Sequence, residues 1–96
     1  MPKGYWIARV TVTDPAKYKN YTDLAPAAFA KFGGKYLARG GKYEALAGEA
    51  RARNVVIEFA SLQAAHDCFH SPEYQTAKAK REGAAIAELV IVEGVE

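Results

Sequence analysis

The chain has 96 residues, half of them hydrophobic and a quarter charged, with a formal net charge of +2. That length makes one small domain with a marginal core, and basic residues this scattered lack the clustered cationic stripe that nucleic acid requires. A single cysteine excludes an internal disulfide and fits a reducing compartment, and no window approaches the roughly eighteen apolar residues of a membrane span.

The opening residues Met1 to Tyr5 carry no apolar signal segment, so a cytoplasmic location is expected. A first strand spans Gly4 to Thr13. It turns Trp6, Ala8, Val10 and Val12 one way and Tyr5, Ile7, Arg9 and Thr11 the other. Asp14 is a helix N-cap and Pro15 takes the first helical position, where a missing N–H costs nothing. The helix that follows carries Tyr18, Tyr21, Ala25, Ala28, Phe29 and Phe32 at three-four spacing, the pattern of a buried face. Pro26 falls inside it and predicts a kink or a division. Gly33-Gly34 ends it.

A second strand begins at Lys35. It is expected to bulge at Gly40-Gly41 and to resume over Lys42–Leu46, with residues 47–51 as a polar hairpin loop. The third strand, Asn54–Phe59, leads through the cap Ser61 into a helix presenting Leu62, Ala65 and Phe69. Ser71-Pro72 repeats the cap-proline signal, so a fresh helix runs from there to about Arg81. Lys78, Lys80 and Arg81 answer its C-terminal dipole. A last strand covers Glu88–Val92.

Each half therefore reads strand, helix, strand. Two such units with right-handed crossovers give an α+β domain over residues 1–96, with the order βαββαβ. This is the ferredoxin-like arrangement: a four-stranded antiparallel sheet with its helices on one face. The other face is bare, yet Leu89-Val90-Ile91-Val92 is apolar at successive positions, and Tyr5, Ile7 and Val56 point away from the helices. A sheet wet on one face reads polar at alternate positions. The expected remedy is a homodimer joined through that face.

Several pieces of this chain resemble a known family. They are Gly4-Tyr5-Trp6-Ile7, Thr11-Val12-Thr13-Asp14-Pro15, the stretch from Gly33 to Gly41, Val55-Val56-Ile57-Glu58-Phe59, and Ser71-Pro72-Glu73-Tyr74-Gln75. Together, and continuing to Val92-Glu93-Gly94, they resemble the bacterial domain-of-unknown-function family numbered 1330. The resemblance implies the dimeric α/β-barrel superfamily, in which two ferredoxin-like domains set their sheets face to face. Its members include cofactor-free monooxygenases, lactone isomerases and haem-degrading enzymes, a spread that selects no chemistry.

The candidate ligand-binding residues are Arg39, Glu58, Tyr74 and Arg9. If the hairpin pairs residues whose numbers sum to 97, Arg39 faces Glu58, and the pair is either a polar spot for a ligand or a structural ion pair. Arg9 points the same way as Tyr5 and Ile7 and joins either picture. Tyr74 is expected to pack on the sheet with its hydroxyl on a polar neighbour. His66 and His70 lie one helical turn apart, but Cys68 points away from them and no third or fourth ligand exists, so no metal is expected. Ser71 and Glu73 are explained by capping and the helix dipole, and the glycine pairs form no phosphate loop. No cofactor is expected. Six tyrosines (Tyr5, Tyr18, Tyr21, Tyr36, Tyr43 and Tyr74) fit either a cavity lining or core packing. Two function classes follow: a small-molecule binder or cofactor-free enzyme with a pocket between sheet and helices, or a non-catalytic ligand-binding or structural dimer module.

Overall fold

The computed structural model describes residues 2–96. The elements run β1 (Gly4–Val12), α1 (Pro15–Lys31), β2 (Lys35–Arg39), β3 (Arg53–Phe59), α2 (Leu62–His70), α3 (Pro72–Lys80) and β4 (Ala85–Glu93). The four strands form one antiparallel sheet in the order β2-β3-β1-β4. This is the expected ferredoxin-like fold.

Local chemistry sets the helix boundaries. The Asp14 carboxylate accepts from the Lys17 amide at 3.1 Å, and the Ser61 hydroxyl accepts from the Ala64 amide at 3.1 Å. Ser71 serves both helices that meet at it. Its hydroxyl donates to the Cys68 carbonyl at 2.7 Å and accepts from the Tyr74 amide at 3.1 Å, which satisfies it inside the core. The backbone amides of Thr13 and Asp14 donate to the Ala84 carbonyl, tying the end of β1 to the start of β4.

Three sequence expectations need correction. α1 runs unbroken through Pro26. The lost N–H removes one ladder bond, and packing of the flanking Ala25, Ala28 and Phe29 into the core holds the rest in line. β2 stops at Arg39 instead of resuming at Lys42, and residues 41–50 are exposed and irregular. In the observed register Leu46 would face Gly48, leaving one residue for a turn that needs two. Gly40 also adopts a left-handed φ of 66°, which takes the chain out of the ladder while its amide still donates to the Asn54 carbonyl. The bulge lies at Leu37, between Tyr36 and Ala38, ahead of the expected Gly40-Gly41.

Trp6 is the hub of the core at 1% exposure. Its ring meets Tyr74 at 4.8 Å and Phe29 at 5.0 Å, both edge-on, and lies within 6.1 Å of Phe59 and Phe69. A smaller cluster of Val10, Tyr18 and Ala84 sits apart from this one.

β1 enters the sheet under the N-terminus of α2, and only glycine fits there. A Cβ on Gly4 would stand 2.4 Å from the Ser61 carbonyl oxygen, a backbone atom of the α2 cap. Gly4→Ala is expected to cost about 1–3 kcal/mol of unfolding free energy, read from the denaturation midpoint. An unchanged midpoint would show that β1 and α2 separate freely.

The helix-free face of the sheet carries an apolar stretch around Ile7, Val56, Val90 and Val92, with the Arg9–Glu88 pair between it and Ile86. Ile86, Val90 and Val92 remain 52%, 57% and 46% exposed, beside the half-buried Tyr5, Ile7 and Val56. No described helix is long and apolar enough to cross a membrane.

Candidate functional site

α1 packs along α3 and its backbone stands off from the sheet, with aromatic side chains bridging the gap. Where the facing residues are small the gap stays open. Ala8 on β1, Ala87 on β4 and Ala25 on α1 line a cavity of about 280 Å³. It separates the two hydrophobic clusters: Trp6, Phe29 and Tyr74 wall it from the main core, and Val10 with Tyr18 wall it from the smaller one.

The charges around this cavity are all of one sign. Arg39, Arg53 and Arg81 line it, and no aspartate, glutamate or histidine does. None of the three arginines is ion-paired among the described residues. Each guanidinium lies against a tyrosine ring instead: Arg39 over Tyr36 at 4.6 Å, Arg81 over Tyr21 at 5.2 Å and Arg53 over Tyr18 at 5.7 Å. The buried Nε of Arg53 has no hydrogen-bond partner among the described residues. A buried donor left unmade costs about 1–3 kcal/mol, so Arg53 is held at this position at a cost.

At one side of the cavity the polar groups connect. Arg81 Nη1 donates to the Tyr74 hydroxyl at 2.7 Å, and that hydroxyl lies 3.0 Å from the hydroxyl of Tyr21. Burial is the largest cause that raises the pKa of both phenols, far above the usual value for Tyr21, so neither gives up its proton near neutrality. One phenolic proton bridges the two rings, and the other is left to donate elsewhere. The lining supplies donors and no base.

The candidate residues divide between the two faces of the sheet. Arg39 and Tyr74 line the cavity. Glu58 does not, and the expected Arg39–Glu58 pair is absent. Arg39 faces Val55, whereas Glu58 faces Lys35 and Tyr5 on the helix-free side, with Lys3 at 3.6 Å. The bulge at Leu37 adds one residue and so reverses the face of Arg39, while the register itself differs from the expected one by an even number of residues and leaves the face unchanged. Arg9 is also on the helix-free side. It lies 3.6 Å from Glu88, donates to the Glu49 carbonyl, and lines a separate hollow of about 200 Å³ under the 43–51 loop.

Tyr18, Tyr21 and Tyr36, named among the tyrosines that fit a cavity lining, line it, as do Arg53 and Arg81, which the sequence did not single out as a site. For Arg53 a signal existed. It falls in alternation with the inward Val55, Ile57 and Phe59, an odd place for an unpaired charge. Arg81 caps α3, but its guanidinium reaches back to Tyr74, a placement that depends on tertiary packing.

The remaining candidates stay apart from the cavity. His66 and His70 stack at 4.4 Å on the exposed side of α2, and no group of three metal-binding side chains occurs among the described residues. Glu73 bonds Lys31, which holds its carboxyl below the usual range. Cys68 is fully buried with its thiol toward the Ala28 carbonyl, and burial, reinforced by Glu73, pushes its pKa up to about 12. At pH 8 about one molecule in ten thousand then carries a thiolate. Cys68 is expected to resist a disulfide reagent in the native protein and to react fully once unfolded. Rapid native labelling would contradict the packing between α1 and α2.

A family model described as "Domain of unknown function (DUF1330)" matches residues 3–95. The chain belongs to this family. No curated protein matches it in sequence. Among solved structures, a protein of unknown function from Rhodopseudomonas palustris is 19% identical, with a TM-score of 0.77 over 99% of this chain and 84% of that one. SnoaB, a cofactor-independent oxygenase from Streptomyces nogalater, is 13% identical, with a TM-score of 0.62 over 100% of this chain and 96% of that one. A dimeric protein of unknown function and ferredoxin-like fold from Bacteroides fragilis is 15% identical, with a TM-score of 0.64 over 95% of each chain. At these identities the DUF1330 chain shares their fold, and its site must be argued from its own residues.

Proposed function

We propose that this protein is a single-domain, cytoplasmic homodimer that binds a small, flat, negatively charged organic molecule between its sheet and α1, as ligand or as substrate, without a cofactor. The observation that carries this reading is the cavity's charge: three guanidiniums around about 280 Å³, with no carboxylate in the lining. Aromatic walls from Trp6, Phe29 and Tyr36 suit a planar body. A purely structural module would pack this space and pair its arginines internally. Dimerisation is supported by the half-exposed Ile86, Val90 and Val92 on the helix-free face and by the dimeric description of the Bacteroides fragilis protein. A cytoplasmic setting is supported by the lone thiol of Cys68.

Calorimetric titration with benzoate and its neutral counterpart benzamide tests the reading. Benzoate is expected to bind and benzamide to bind at least tenfold more weakly. Arg53→Met is expected to weaken benzoate about 10- to 150-fold, the range for losing a hydrogen bond to a charged group. Equal affinity for the two compounds, or binding of neither, overturns the proposal.

A further inference from the structure

The proton inventory of the cavity says more than its charge. Every titratable side chain that lines the cavity carries a hydrogen-bond donor, and none is a carboxylate or an imidazole. α1 contributes Tyr18 and Tyr21, α3 contributes Tyr74, β2 contributes Tyr36 and Arg39, and β3 contributes Arg53. β1 and β4 present only apolar side chains to it. Such a lining cannot take a proton from a ligand. It can only lower the free energy of a ligand that has already lost one.

The donors also converge. Arg81 is fixed by its bond to Tyr74 and by the face of the Tyr21 ring, and the free phenolic proton of the Tyr21–Tyr74 pair arises beside it. Arg53 and the Arg39–Tyr36 stack supply further positive potential around the same space. An oxygen placed within reach of the remaining Arg81 N–H groups and the tyrosine pair would meet a guanidinium and a phenolic proton in partly buried surroundings. Such an oxygen is stabilised most when it carries full negative charge.

We propose that the Arg81–Tyr74–Tyr21 group is an oxyanion site for a weak organic acid, a phenol or a stable enol on a conjugated ring, which the protein binds as its anion. The O–H bond breaks heterolytically, the electron pair stays on the ligand oxygen, and the proton passes to water or buffer at the cavity mouth. The inference rests on the reading that the cavity is a ligand site and adds the chemical class of its ligand. It also defines what the protein contributes to any reaction there: an activated, electron-rich anion held between aromatic walls.

The test is a spectrophotometric pH titration of 4-nitrophenol, whose anion is coloured, at saturating protein. The pKa of the bound phenol is expected to fall by about 1–3 units, the shift a nearby opposite charge produces. The methyl ether 4-nitroanisole, with the same body and no acid, is expected to bind at least tenfold more weakly than the anion. Arg81→Met, checked for native near-UV circular dichroism, is expected to lose most of the pKa shift. Tyr21→Phe, which keeps the ring and removes the hydroxyl, is expected to lose part of it. A bound pKa that is unchanged or raised overturns the oxyanion site, as does an ether that binds as tightly as the phenolate. If benzoate binds and 4-nitrophenol does not, this inference fails and the ligand reading survives. If neither binds, both fail.

Discussion

Trp6→Ala is expected to lower the unfolding free energy by about 3–5 kcal/mol, the range for removing a buried tryptophan. The size follows from position. Trp6 lies on a central strand, and its ring is held between Tyr74 and Phe29, with Phe59 and Phe69 also in contact range. Those rings come from four different elements, and none can shift inward without losing its own contacts, so little of the vacated volume can refill. Domains of this size hold about 5–15 kcal/mol, so the variant would stand near the edge of unfolding at room temperature. Urea denaturation followed by far-UV circular dichroism gives the value. A loss under about 1 kcal/mol would mean that the cavity beside Trp6 absorbs the change and that the aromatic hub is not the centre of stability.

Val90→Glu is expected to convert the proposed dimer to a folded monomer. Val90 lies opposite Ile7 in the β1–β4 ladder and faces away from the helices, so within one protomer the new carboxylate meets water. In a two-fold dimer across this face the substitution occurs twice, and each unpaired buried charge costs several kcal/mol. The dissociation constant should rise about a thousandfold or more. Sedimentation velocity at micromolar protein separates the outcomes, with circular dichroism unchanged. A variant that remains dimeric, or a native protein that is already monomeric, removes the proposed interface.

Features written in consecutive residues were legible in the sequence. Asp14-Pro15 and Ser71-Pro72 each announce a helix start by side-chain geometry alone, and the alternation of Trp6, Ala8 and Val10 names the inward face of β1. What failed depended on a single inserted residue or on distant packing. The bulge at Leu37 lies in a strand of five residues with no glycine to mark it, and it contributes to placing Arg39 on the opposite face from Glu58. The hydroxyls of Tyr21 and Tyr74 meet across 53 positions of sequence, and no local rule predicts that α1 and α3 lie side by side. The open space itself was encoded indirectly, by alanines at positions 8, 25 and 87, where a larger aliphatic side chain would have filled it.

The strand order β2-β3-β1-β4 bears on how the chain acquires its shape over time. β1 and β2 come from the first half, β3 and β4 from the second, and all three ladders join one half to the other. During synthesis the N-terminal half can coil α1 but has no ladder to form, because the two strands it carries are never neighbours. The central strand acquires its second partner only when β4, the last element, arrives. Closure of the sheet is therefore a late event that links distant parts of the chain, the kind of topology that folds slowly for its length. Until then β1 is an open edge, and shielding it during that interval falls to whatever meets the nascent chain.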